Sequence, residues 1–165
     1  MTTTPNWLDE HEQRAWRAYQ RLHMHLDARI RADLARTSGL SDADYAVLVN
    51  LSEAPDRQLR ARELAINLQW EKSRLSHQIS RMERRGLVGR AECPTDARGS
   101  FVVLTDAGYE AITAAAPPHV DAVRRYLIDG LSPAHLDAMI EIADIALARL
   151  AEDPTCPTED VCDEA

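Results

Sequence analysis

The chain has 165 residues, 45% of them hydrophobic and 28% charged, so its length and composition predict a folded protein with one main core. No run approaches the roughly 18 apolar residues of a membrane helix. Residues 1–5 also lack the basic start of a signal peptide, which predicts a cytoplasmic protein without a membrane partner. The net charge of −8 is uneven: residues 57–98 contain ten Lys and Arg against five Asp and Glu, so this segment carries +5 and the remainder −13.

Two helices are predicted at the start of the chain. From about Asn6 to Arg36, apolar residues recur every three or four positions, and residues 37–39 end this long amphipathic helix. Ser41 opens the second helix as an N-cap, and Pro55 lies just beyond its end. A long amphipathic helix at a terminus often packs against a second chain.

The basic segment begins with two short helices joined by a tight turn. The first covers about Ala61–Leu68, and the second covers Lys72–Arg85 and is stopped by Gly86. Leu75, Ile79 and Met82 share one side of the second helix and are predicted to be buried. Two helices in this arrangement, the second one basic, are typical of a helix-turn-helix.

A β-hairpin is predicted next, with strands at 87–91 and 101–104 and a turn-rich loop over 93–100. Thr105 then caps a helix that Pro117 and Pro118 are expected to kink or interrupt. The last helix begins at Ser132 and Pro133 and has apolar residues at seven-residue spacing, which is typical of a helix–helix seam. These are Leu136, Ile140, Ala143, Leu147 and Leu150.

The linked motifs of this segment resemble the MarR family of winged helix-turn-helix regulators. The resemblance rests on Leu64-Ala65, on residues 73–76 and 82–88, on Pro94-Thr95-Asp96-Ala97-Arg98, and on Leu104-Thr105-Asp106-Ala107-Gly108. It departs at Arg60 and Glu71, where the family usually has Ser or Thr. The resemblance implies a mainly α fold with a small β-hairpin wing and a homodimer held by long N- and C-terminal helices. It also implies a sequence-specific transcriptional regulator, here predicted to be a repressor on an inverted-repeat operator, that a small aromatic or phenolic ligand releases.

The predicted domain boundaries follow from these elements. An N-terminal dimerisation helix spans 1–40, the DNA-binding domain spans 41–108, C-terminal dimerisation helices span 109–153, and an acidic disordered tail spans 154–165.

Candidate DNA contacts lie on the exposed side of the second basic helix, whose first turns usually meet base edges. The predicted base readers are Ser73, Arg74, His77 and Gln78, and the predicted backbone contacts are Ser76, Arg81 and Arg84. At the wing tip, Arg98 is predicted to enter the minor groove, with Asp96 holding its side chain or the turn. For the helix the alternative interpretation is a solvated surface, and for the wing it is an Asp/Gly hairpin turn with an incidental arginine.

Other constellations are weaker. Trp16, Tyr19, His23 and Tyr45 could line a small-ligand pocket, although ordinary core and interface packing is the favoured interpretation of these residues. No cysteine or histidine spacing suits a metal, no cofactor motif is present, and no catalytic motif predicts an enzyme. Cys93 near the wing leaves a redox-sensing regulator as one alternative, although redox sensors of this family carry their cysteine near the first helix. A winged-helix protein–protein adaptor without DNA binding is the other alternative, which the acidic total favours slightly and which the basic segment and Arg98 disfavour.

Overall fold

The computed structural model describes residues 5–93 and 96–152, and for residues 92, 93 and 96–99 it describes only the backbone. The fold is mainly helical with a small antiparallel sheet, which confirms the predicted fold class. The elements in chain order are α1 (Glu10–Ser38), α2 (Asp42–Glu53), β1 (Gln58–Arg60), α3 (Ala61–Leu68), α4 (Lys72–Arg84), β2 (Val88–Cys93), β3 (Asp96–Leu104), α5 (Asp106–Tyr126) and α6 (Pro133–Glu152). Among the described residues, no helix is both long and apolar enough to cross a lipid bilayer. The predicted tail at 154–165 lies outside the described residues.

Helix α1 begins four residues later than predicted, because a capping box fixes its start. The Asp9 carboxylate accepts a hydrogen bond from the backbone N–H of Glu12, and the Glu12 carboxylate accepts one from the N–H of Asp9. The helix ends at Gly39, whose φ of 68° lies in the left-handed region that glycine adopts without strain.

The three strands form a sheet of order β1-β3-β2, in which both pairings are antiparallel. The hairpin of β2 and β3 confirms the predicted wing, and β3 begins at Asp96, earlier than predicted. Strand β1 was not predicted, because its three residues are too few for a visible alternation. It forms only because Leu59 pairs with Val102 of β3.

The core lies where α2, α3, α4 and the sheet meet the end of α1 and the first half of α5. Leu48, Leu51, Leu64, Met82 and Val102 are among its most deeply buried side chains. Gly108 at the start of α5 packs directly on the Leu87 carbonyl, where even a Cβ atom would clash with that oxygen. This contact brings the start of α5 close to the C-terminal end of α4.

The expected interruption at Pro117 and Pro118 is absent, since α5 is one helix from Asp106 to Tyr126. Each proline removes one backbone N–H donor, but its fixed φ is compatible with a helix. Buried residues on both sides of the pair, Ala115 and Ala122, pack on the rest of the chain and hold the helix across the two missing bonds.

Helix α6 and the first half of α1 leave much apolar surface uncovered. No residue of α6 is buried, and the side chains of Ile140, Ile142 and Leu147 are each more than 60% exposed. Asp137, Glu141 and Asp144 lie together on one side of α6 at about 100° per residue, and large apolar side chains occupy the other sides.

Candidate nucleic-acid interface

Helices α3 and α4 form the predicted helix-turn-helix. The turn depends on Gln69, which is left-handed at φ 52° and lets the N–H of Trp70 donate to the Ala65 carbonyl at 2.9 Å. Neither Arg60 nor Glu71 forms a side-chain cap on the helix that follows it. Leu75, Ile79 and Met82 are buried, which confirms the predicted inner side of α4 and leaves the opposite side in solvent.

The exposed side of α4 carries all but one of the predicted DNA contacts on this helix. Its exposed residues include Ser73, Arg74, Ser76, His77, Arg81 and Arg84. The guanidinium of Arg74 lies over the Trp70 ring at 4.3 Å, within the range of a cation–π contact. Trp70 therefore orients Arg74.

Gln78 does not belong to this surface. Its side chain is only 2% exposed, and its Nε2 donates to the Asp44 carboxylate at 2.8 Å. Its Oε1 accepts a hydrogen bond from Arg81. The prediction that Gln78 reads a base was wrong, because its direction lies only about 60° from Leu75 on the helical wheel and on the same side as Met82.

Asp44 of α2 is a buried hydrogen-bond acceptor, only 3% exposed. Its carboxylate accepts from the N–H of Ser41 at 2.9 Å, from Gln78, and from Arg85 Nη1 at 2.7 Å. Burial acts to raise the pKa of Asp44, but the hydrogen bonds from Ser41 and Arg85 outweigh it and lower the pKa overall. The spacing from Ser41 to Asp44 could have indicated the capping box, but nothing local indicates Gln78 or Arg85.

The wing is tied to α4 through Arg90 on β2. Its guanidinium contacts the Glu83 carboxylate at 3.2 Å and the Ser80 hydroxyl at 3.3 Å. The backbone of Asp96 and Arg98 belongs to β3, while their side chains, like that of Cys93, lie outside the described residues. The minor-groove assignment of Arg98 and Asp96 stays a prediction.

The four residues of the predicted ligand pocket fall into two sets of contacts. Trp16 stacks on Tyr19 at 5.8 Å between ring centres, and Tyr19 stacks on His23 at 6.1 Å, along the exposed part of α1. Tyr45 instead packs against His119 of α5 at 4.4 Å. Because more than half of the Trp16 and Tyr19 side chains is open to solvent, a pocket around them requires a further wall.

Comparisons with known proteins agree with this geometry. Residues 38–99 match the model of the MarR family. The transcriptional regulator HosA of Escherichia coli O157:H7 is 34% identical over 104 residues, which cover 62% of this chain and 74% of that protein.

Two solved structures from Streptomyces coelicolor superpose with a TM-score of 0.86. The MarR family regulator Sco3205, in complex with DNA, is 41% identical over 92% of this chain and 94% of its own. The MarR family regulator AbsC is 40% identical over 90% of this chain and 100% of its own.

Proposed function

Because this chain belongs to the MarR family of transcriptional regulators, we propose that it represses transcription by binding an inverted-repeat operator as a homodimer. The observation that carries the proposal is the exposed basic side of α4, on a fold that superposes closely with a relative in complex with DNA. The local charge of +5 over residues 57–98 supplies attraction for phosphates, although the whole chain is acidic.

Within this proposal, Ser73, Arg74 and His77 of the first turns of α4 read base edges in the major groove. Ser76, Arg81 and Arg84 lie on the same exposed side and contact phosphates, which set affinity and register but not sequence. Arg98 of the wing enters the minor groove, supported by Asp96.

The dimer is proposed from the uncovered apolar surface. Apolar side chains surround α6 except on its acidic side. This apolar surface is wider than the stripe that a single coiled-coil seam requires. A second copy that supplies its own α1 and α6 can cover this surface on more than one side. Two α4 helices in one dimer then meet two half-sites about one helical turn apart.

We also propose that a small aromatic ligand releases the operator complex. The stack of Trp16, Tyr19 and His23 offers flat ring faces, and the second copy would supply the missing wall. Such a ligand acts only through its different affinities for two shapes of the dimer. Titration of phenolic acids into the operator complex tests this step.

The first experiment uses the DNA upstream of the gene that encodes this chain, and it measures how the affinity for that DNA depends on salt concentration. A dimer with about 6–10 phosphate contacts should lose about 10³- to 10⁵-fold in affinity between 50 and 200 mM salt. Fluorescence anisotropy with a scrambled duplex of equal length as control gives the slope and the selectivity. Absence of sequence-selective binding at moderate salt would contradict DNA regulation and favour the adaptor alternative.

Arg74→Ala is expected to relax sequence preference at one base pair of each half-site by about 5- to 150-fold, because a bidentate arginine–guanine pair contributes about 1–3 kcal/mol of discrimination. Binding to a set of singly substituted operators measures the change. Arg84→Ala is the matched control, since losing a phosphate contact weakens binding to all sequences alike. Uniform weakening by both variants would remove Arg74 from the base readers.

A further inference from the structure

Gln78 is a buried amide whose two ends have different partners. Its amino end donates to Asp44 of α2 at 2.8 Å, and its carbonyl end accepts from the guanidinium of Arg81. Gln78 is 2% exposed, whereas Arg81, one turn further along α4, is exposed on the proposed DNA-binding side.

The chemistry of these partners fixes the orientation of the amide. An ionised carboxylate only accepts hydrogen bonds and a guanidinium only donates them, so the amino end must face Asp44 and the carbonyl end must face Arg81. The hydrogen bonds run in a row from Asp44 through Gln78 to Arg81. The Asp44 carboxylate at the buried end also accepts from the N–H of Ser41 and from Arg85, so its position is fixed by the fold.

At the exposed end of this row lies Arg81, whose long side chain has many rotamers when nothing holds it. A guanidinium carries five N–H donors, so one bond to Gln78 leaves most of them for a phosphate. Ordering a long side chain on binding costs free energy, and a side chain ordered beforehand avoids that cost.

We propose that Gln78 is a positioning residue that holds Arg81 toward the DNA backbone before DNA arrives, with Asp44 fixing the orientation of Gln78. This inference rests on the proposed function, because Arg81 matters here only as a phosphate contact. Through Gln78, the Asp44 carboxylate of α2 then helps to position Arg81 of α4, which contributes to DNA affinity.

A double-mutant cycle tests the proposal. Gln78→Met keeps the length and apolar packing of the side chain and removes the acceptor for Arg81. We expect Gln78→Met to weaken binding of the full-length protein to random-sequence duplex DNA by about 2- to 10-fold. In an Arg81→Ala background the same change should have no further effect, because the group it positions is gone.

Arg84→Ala provides the matched background, since Arg84 lies on the same exposed side of α4. There, Gln78→Met should weaken binding by the same factor as in the wild type. A purely structural role for Gln78 predicts equal losses in all three backgrounds, and that result would overturn the proposal. If the unchanged protein fails to bind duplex DNA at all, the proposed function fails with it. If the unchanged protein binds but Gln78→Met is without effect, the positioning role alone is wrong.

A measurement on the unchanged protein covers the case in which Gln78→Met does not fold. NMR relaxation of the arginine Nε–H groups in the DNA-free protein should show Arg81 more ordered than Arg84 on the ps–ns timescale. Equal mobility of the two side chains would overturn the proposal.

Discussion

If the chain dimerises as proposed, replacing Ile140 and Leu147 of α6 together with glutamate is expected to separate the dimer into monomers and to weaken operator binding by about 10²- to 10⁴-fold. Both residues are 61% exposed in the single chain, and they lie one above the other along the helix, outside its acidic side. Two buried carboxylates without partners in the dimer interface oppose association. A monomer then holds only one half-site and loses the advantage of linked binding.

Analytical ultracentrifugation measures the assembly state, and titration of a two-half-site and a one-half-site duplex measures the linkage. Glu141→Gln is the matched control, since Glu141 lies on the acidic side of α6 and should leave the dimer intact. A doubly substituted protein that remains dimeric places the interface elsewhere. A monomer that binds both duplexes as tightly as the wild type would disconnect dimerisation from DNA affinity.

Asp44→Ala is expected to lower the free energy of unfolding by about 3 kcal/mol, although Asp44 lies outside the DNA-binding surface. The change removes the acceptor for three groups at once: the N–H of Ser41, the amide of Gln78 and the guanidinium of Arg85. The buried amide of Gln78 bears the largest loss, because Arg85 is 44% exposed and can turn to water.

Asp42→Ala controls for the general effect of an acid in the first turn of α2. Asp42 is 60% exposed and only 3.6 Å from Arg31, so its removal should cost less than about 1 kcal/mol. Urea unfolding at one fixed protein concentration compares the two variants, because the stability of the proposed dimer would depend on concentration. Similar losses for Asp42→Ala and Asp44→Ala would show that the buried hydrogen bonds contribute little.

The pH dependence of the Asp44 contribution follows from its lowered pKa. A carboxylate whose pKa is lowered by folding stabilises the native state fully above its unfolded pKa of about 3.8. The contribution is lost as the pH falls through the lower pKa of the folded state. The difference in stability between wild type and Asp44→Ala should therefore be constant at neutral pH and shrink below about pH 3.8.

Local features of the sequence predicted the elements whose signals lie within one or two turns. The spacing of apolar residues predicted α3 and the inner side of α4. Gly86 predicted where α4 stops. The wing followed from its β-branched residues. The predicted division of the chain into domains stays a prediction.

The features that escaped prediction depend on residues far apart in the chain. Gln78 and Asp44 are separated by 34 positions, so only the folded chain shows which buried partner Gln78 binds, although the helical wheel places Gln78 near Leu75 and Met82. Strand β1 exists through its pairing with β3, and α5 continues through Pro117 because residues on either side of it are packed.

The exposed apolar surface of α6 has a consequence for how the fraction of occupied operator depends on the amount of regulator. If a second copy covers α6 as proposed, assembly is a second-order process, and at low abundance the concentration of dimer rises with the square of the concentration of chains. A modest change in synthesis is then amplified before any operator is reached. A chain with an altered α4 but an intact α6 would also combine with normal copies and disable them, so a defective allele should be dominant over the normal one.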